Sequence, residues 1–266
     1  MSSFVRVIKY LAIAFALFLI VTIFTGILGV GQGIISLSGY FDDDTVLELD
    51  AKTNYLDIEL KCGDLKIKTA DELKVETKSD KIKVEQDGEK IKVKDETNSM
   101  FGCDKQEIFV YLPELIFEAV SIKGGAGRVE AESLKTDETY LSLGAGEVII
   151  NELISKNPHI KTGAGALTIK SGELSNLKLE MGAGEAKISA NLTGKNEIEC
   201  GIGRLELNLA GEKSEYTFDL DKGLGRVLLN GTEISNDTNL GTGETKIEID
   251  GGIGEIDIRT AKPNEE

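Results

Sequence analysis

From residue 45 onward the chain alternates. Runs such as Leu56-Asp57-Ile58-Glu59-Leu60, Leu65-Lys66-Ile67-Lys68, Ile82-Lys83-Val84 and Ile91-Lys92-Val93 place an aliphatic side chain at every second residue with a charged one between. A period of two sorts the two sets onto opposite faces, so each run predicts a β-strand with one buried face. Val46–Leu49, Leu73–Val75 and Ile108–Leu112, the last closed by Pro113, read the same way, and Asp95–Gln106 predicts a loop leaving the body. Apolar positions at a spacing of three and four are missing from this part of the chain, which argues against helices.

A longer period begins near Gly124. Gly-x-Gly recurs at Gly125 and Gly127, Gly144 and Gly146, Gly163 and Gly165, Gly182 and Gly184, and Gly201 and Gly203, each pair 19 residues after the last. Looser copies stand at Gly223 and Gly225, Gly241 and Gly243, and Gly252 and Gly254. Three places before each first glycine comes Ile122, Leu141, Ile160, Leu179, Ile198 or Leu220. Two and four places after each second glycine come pairs such as Val148 and Ile150, Leu167 and Ile169, Leu205 and Leu207, and, after Gly243, Thr245 and Ile247. Across the glycines the apolar spacing changes from two to three, so the backbone must turn or bulge there to keep one face inward. A residue without Cβ tolerates the positive φ such a corner needs. The residue between the glycines (Ala126, Ala145, Ala164, Ala183, then Ile202, Leu224, Thr242 and Ile253) is expected to let neighbouring coils stack closely. Each repeat therefore reads as strand, corner, strand, polar turn. Parallel stacking of such units predicts an all-β, parallel β-solenoid, or β-helix-like fold, with ~19-residue repeats.

The N-terminus differs. No residue between Lys9 and Asp42 is charged, and Tyr10–Val30 has the ~20 apolar residues that cross a bilayer as a helix. Arg6 and Lys9 precede it and Asp42, Asp43 and Asp44 follow, so the positive-inside rule places the start in the cytoplasm and the bulk outside. A cleaved signal peptide, with Ser36-Leu37-Ser38 as its small-residue site, is the competing reading; the apolar run exceeds the usual 7–15 residues of such segments, which favours an anchor. The expected organisation is a cytoplasmic N-terminus over 1–9, a transmembrane helix over 10–31 in contact with the lipid bilayer, and a linker over 32–44. An extracytoplasmic domain follows over 45–260, irregular over 45–123 and regular over 124–260, with a tail over 261–266.

Composition narrows the function. The net charge of −16 disfavours nucleic acid as a partner, because phosphate selects basic surfaces. A single histidine, His159, excludes sites needing two imidazoles; beside Pro158 it reads as a surface residue at a turn. A dinucleotide fingerprint needs a helix after its glycines, and a calcium-binding roll needs Asp where Ile256 stands. Glu147 and Glu185 share a repeat position with Ala166, Arg128 and Arg204, which is the pattern of a self-compensating solvated row and not of a metal site. No cofactor, metal ligand set or catalytic residue is expected. Cys200 occupies the position of Leu143, Thr162 and Met181 and is expected to pack inward; Cys62 and Cys103 are placed either to pair or to remain free thiols.

Cys62-Gly63-Asp64-Leu65-Lys66-Ile67, Ile108–Pro113, and Ser121-Ile122 running into Gly124–Val129 give the order of features of a known group. Over residues 46–260 the chain resembles the bacterial membrane-anchored "putative adhesin" domain family, which has no assigned function. The resemblance implies an extracytoplasmic β-solenoid in a bacterial envelope, in some members associated with envelope-stress regulation, and brings no catalytic residues. The function expected is a non-enzymatic binding or scaffold module whose partner is an envelope protein or surface ligand. The alternatives are an accessory regulator of envelope-stress signalling, a self-assembling solenoid polymerising through an uncapped strand end at Gly252–Thr260, and a polysaccharide-processing β-helix enzyme.

Overall fold

Alternation on this scale leaves rows of unpaired backbone groups that only neighbouring strands can satisfy. The structure, a computed structural model, describes residues 45–48, 53–97, 106–234 and 238–261, all within one unit, Leu37–Glu266. The expected membrane helix over 10–31, its linker, Cys103 and residues 262–266 lie outside the described residues. Among those described, no helix is long and apolar enough to cross a membrane.

The described chain is all-β. Its strands are β1 (Thr45–Glu48), β2 (Tyr55–Thr69), β3 (Lys74–Thr77), β4 (Ile82–Asp87), β5 (Lys90–Asp95), β6 (Glu107–Leu112) and β7 (Phe117–Ser175). There follow β8 (Lys178–Thr193), β9 (Lys195–Glu212), β10 (Tyr216–Asp221), β11 (Arg226–Leu229), β12 (Thr232–Ile234), β13 (Thr238–Leu240), β14 (Thr245–Asp250) and β15 (Ile253–Ala261). β15 thus runs one residue past the expected end at 260.

Parallel pairing in register builds the core. β8 lies on the last part of β7 with a step of 19 residues, Ile160 opposite Leu179 and Leu167 opposite Ala186, and β9 repeats the step on β8, Leu179 opposite Ile198. The same step recurs inside β7, where Gly144 sits against Gly125 and Gly163 against Gly144. β2 lies parallel to the start of β7, with Ile58 opposite Ile122 and Leu65 opposite Val129. Identical positions therefore stack into continuous apolar columns, and Ile58, Ile122, Leu141, Ile160, Leu179 and Ile198 in one of them are each at most 1 % exposed. Stacking like on like lets every rung bury the same face against the next, which is how a narrow repeat acquires a core.

At both ends the order in space departs from the order in sequence. β14 and β15 do not lie beyond β10 and β11. They insert between them and β9: Ile198 pairs with Ile249 and Leu205 with Ile256, while Ile249 pairs in turn with Leu220 and Ile256 with Val227. Likewise β5 and β6, which follow β2 in sequence, lie on its outer side, with Val93 opposite Ile58 and Ile108 opposite Leu65. Antiparallel strands then cover the outermost rungs. β4 pairs with β5, β3 with β6 and β1 with β3 at one end; β13 pairs with β10 and β12 with β11 at the other.

Two expectations are corrected by this. The strand-like end at Gly252–Thr260 is not an exposed edge, since β9 and β11 pair with its two sides, so it offers no site for end-to-end growth. Thr245 and Ile247 do not follow a corner at Gly241 and Gly243. Ile247 lies opposite Asn196 and Ile249 opposite Ile198, so this strand leads into the corner at Gly252, and Gly241 rests against the Tyr216 carbonyl away from the corner column. The stretch from Gly241 to Gly252 is simply too short for a full coil.

Asn196 marks the insertion point. It stands among aliphatic side chains, fully buried; its Oδ1 accepts the Leu177 N–H at 3.0 Å and its Nδ2 donates to the Lys246 carbonyl at 3.1 Å and the Thr193 carbonyl at 3.3 Å. One amide thus ties β9 to the loop before β8 and to the start of β14.

Excising residues 145–163 joins Gly144 to Ala164 and regenerates a corner in register, so that variant is expected to keep a cooperative, β-rich thermal transition at lowered Tm. Deleting residues 245–261 removes an interior rung and is expected to abolish cooperative unfolding, as monitored by circular dichroism.

Candidate binding surface

The corner is where backbone geometry is most constrained. In the second glycines of the stacked corners φ lies between +126° and +156°, a region that L side chains rarely adopt (Gly127, Gly146, Gly165, Gly184, Gly203 and Gly254). Space forbids a side chain as well. A Cβ on Gly165 would stand 1.8 Å from the Gly146 carbonyl oxygen, and one on Gly254 would stand 1.7 Å from that of Gly203. In space the column runs Gly63, Gly127, Gly146, Gly165, Gly184, Gly203, Gly254 and Gly225, each lying against its predecessor. The first glycines, Gly125, Gly144, Gly163, Gly182, Gly201 and Gly252, form a second column against Lys61 and one another, and Gly223 continues it through Gly251. Of the sixteen sequence-predicted corner glycines, Gly241 and Gly243 stand apart, against Tyr216 and Glu215.

The residue between the glycines faces solvent. Ala126, Ala145, Ala164 and Ala183 are all exposed, and the close stacking expected of the coils is made by the glycines on either side of them. The reason lies in the count: from Met181 inward to Ala186 inward is an odd number of steps, so alternation slips once, and the slip leaves the middle residue outside. The corner is thereby an outward ridge. Over most of its length the ridge is alanine, but at one end it becomes Ile202, Ile253 and Leu224, which are 59 %, 53 % and 86 % exposed. Ile202 pairs directly with Ile253, and the Leu224 N–H bonds to the Gly252 carbonyl on the adjoining rung. These residues are scattered in sequence and adjacent only because β15 is inserted. The signal that could have found them was present: bulky aliphatics at a position otherwise held by alanine.

On one side of the ridge the charges answer each other. Arg128 reaches Glu147 at 2.7 Å and Glu130 at 3.2 Å, and Glu255 bridges Arg204 at 3.5 Å and Arg226. Exposed pairs of this kind add little to stability and mainly keep like charges from stacking. Among the described residues no group of three or more His, Cys, Asp or Glu side chains is placed to hold a metal ion.

His159 is not a lone surface residue at a turn. It lies within β7, its side chain 19 % exposed, with its Nε2–H donating to Glu180 at 3.1 Å and its ring edge against Tyr140, centroids 5.3 Å apart. Lys161 Nζ donates to the same carboxylate at 3.0 Å. The partner sits 21 residues away in sequence because it belongs to the next rung. Burial pushes the His159 imidazole below its usual range, with Glu180 only partly opposing this. Burial acts to raise Glu180, but the hydrogen bonds from Lys161 and His159 outweigh it and hold that carboxyl low.

Cys200 is a free cysteine packed against the core, as its repeat position required, and burial followed by the Asp250 charge pushes its thiol up to about 12. Cys62, opposite Ala126, is disulfide-bonded. Nearby, buried Asp95 accepts from the Thr97 N–H at 2.8 Å and the Lys61 N–H at 3.0 Å; burial opposes its ionisation, but hydrogen bonds from Thr97, Lys61 and Cys62 hold its carboxyl below the usual range.

The profile of the Toastrack DUF4097 family matches residues 53–250, the stretch that contains all of the parallel rungs except β15. The chain belongs to that family. Toastrack is an apt word for rungs held side by side. Among solved structures this Toastrack chain is similar to a "putative cell adhesion protein" from Clostridium sporogenes, at 17 % identity and a TM-score of 0.41, covering 82 % of this chain and 99 % of that one. It is also similar to a "putative adhesin" from Bacteroides fragilis, at 14 % identity and a TM-score of 0.44, covering 81 % and 95 %. A "putative lipid binding protein" from Parabacteroides distasonis matches at 13 % identity and a TM-score of 0.28, covering 82 % and 97 %. Curated protein sequences contain no match.

Two outcomes are expected of this Toastrack domain. Gly165→Ala should destabilise it by about 3 kcal/mol or more, or prevent folding, whereas Ala164→Ser should stay within about 0.5 kcal/mol, both read by urea denaturation. A depressed imidazole pKa contributes stability that is present above the ordinary value of 6.5 and lost as pH falls through the folded value. Tm should therefore decline below pH 6.5 in the wild type. The decline should be shallower in His159→Gln, which removes the chain's only histidine.

Proposed function

We propose that this chain is a non-enzymatic, membrane-anchored module that presents a rigid parallel β-solenoid outside a bacterial cell membrane and binds or scaffolds another envelope component. The observation that carries this reading is the in-register stack, closed by antiparallel strands at both ends. Such a body is stiff along its columns and ends on short antiparallel strands, which are poor templates for strand addition, so its broad side faces are what it offers a partner. The same closure weighs against the self-assembling alternative. The uncharged run between Lys9 and Asp42, with Arg6 and Lys9 before it, supports the anchor and its orientation. The charged side chains on the side faces pair with one another along the rungs, which supports binding in preference to catalysis.

Protease added to intact cells expressing the full-length chain should remove an epitope fused after residue 266 and spare one fused before residue 1. The reverse pattern, or release of the chain into the medium, overturns the anchored orientation. Turnover of any cell-wall glycan by the purified chain overturns the non-enzymatic reading.

A further inference from the structure

Ile202, Ile253 and Leu224 together form the largest apolar exposure on the described ridge, and nothing in folding calls for them. Four other rungs manage the same position with alanine, and Leu224 sits in a turn, where strand propensity gives a branched or long side chain no advantage. Contiguous apolar surface rimmed by charge is the usual mark of a docking site.

The charge beside it says what docks. On the side of the ridge reached before the corner, the parallel register stacks Glu199, Asp250 and Asp221 in one row and Glu197, Glu248 and Asp219 in the next, strand on strand about 4.8 Å apart. Lys195 and Lys246 lie on adjoining positions, Lys178 stands opposite Glu197 on the inner rung and Lys222 follows Asp221; Lys195 reaches both Glu197 and Glu248, at 2.5 and 3.6 Å. Six carboxylates against four lysines leave that face net negative. On the other side of the ridge Arg204 and Arg226 share the single carboxylate of Glu255, a smaller excess of the opposite sign. Like charges in register on neighbouring strands repel, and a cationic partner relieves them.

We propose that the ridge formed by Ile202, Ile253 and Leu224 docks a basic amphipathic protein segment, its apolar side chains on the ridge and its lysines or arginines over the two carboxylate rows. This rests on the binding-module reading and gives that module a surface and a partner chemistry. A second copy of the chain fits less well, because each copy would bring the same net negative face, and an anionic membrane is opposed by the same sign.

The test uses the full-length chain in nanodiscs of zwitterionic lipid, with empty nanodiscs as the blank. Fluorescence anisotropy follows a labelled amphipathic peptide of leucine and lysine, and its leucine and glutamate counterpart. The lysine peptide is expected to bind and the glutamate peptide not, with affinity falling several-fold between about 50 and about 300 mM salt. Ile202→Ala/Ile253→Ala/Leu224→Ala restores what other rungs carry, so it should keep the wild-type circular dichroism and Tm within a few degrees while weakening binding at least about tenfold. Glu199→Gln/Asp250→Asn should weaken binding and flatten its salt dependence. Equal binding of both peptides, unchanged binding by the triple variant, a ridge-dependent dimer in sedimentation, or ridge-dependent capture of anionic vesicles each overturns the proposal. None of those results alters the protease pattern, so the display reading stands or falls separately.

Discussion

One contact governs the structure: glycine backbone against glycine backbone at each corner. The carbonyl oxygen of one rung occupies the place where the next rung's Cβ would be, at 1.8 Å for Gly165 and 1.7 Å for Gly254. That approach sets the spacing of the rungs at the corner and, with it, the register of both flanking strands. Once register is set, aliphatic positions two and four residues beyond the corner can only stack on their own kind, and the core follows. Loss of conformational entropy at so many glycines is the cost, offset by burial along columns that no single rung could hide alone.

Closing the ends is a separate problem, solved twice in one way. A parallel stack exposes an unpaired strand edge at each end. Here the outermost rung is supplied by a segment that also turns back on itself, so antiparallel β3 and β4 cover one end and β12 and β13 the other. To do so the chain passes over the rung beside β9, builds the outer one, and returns to fill the gap. Asn196, bonded to Leu177, Thr193 and Lys246, is the polar fixture at that gap. A buried amide among aliphatics is costly unless all its bonds are made, which makes the site selective for the segment that completes them.

Much of this was legible in the amino-acid order, and the failures share a cause. The five regular corners, the flanking strands and the inward packing of Cys200 follow from period alone. Period does not say which rung lies beside which, because Ile198 is matched as well by Leu220 as by Ile249; only the chain length available between Gly241 and Gly252 decides. Nor does it say which way Ala126 or Ile202 points, since the alternation slips somewhere between two glycines and the slip has no side chain to mark it. His159 looked solitary because its partner, Glu180, is one rung and two residues away. The exposed ridge was hidden for the first of these reasons, its three members being brought together by an insertion that the pattern leaves open.

The inserted rung also bears on how the chain comes to be made. Synthesis delivers β9 well before β14 and β15, and β10 and β11 arrive in between with the same alternation. Until the last strands emerge, the growing stack ends in a bare edge, and the segment next in line to cover it is the one destined for the outside. An early pairing of β10 and β11 directly on β9 would be in register, well packed and wrong. Completion of the fold therefore waits on β14 and β15 displacing or forestalling that neighbour, so the domain ripens only once those two strands have been made.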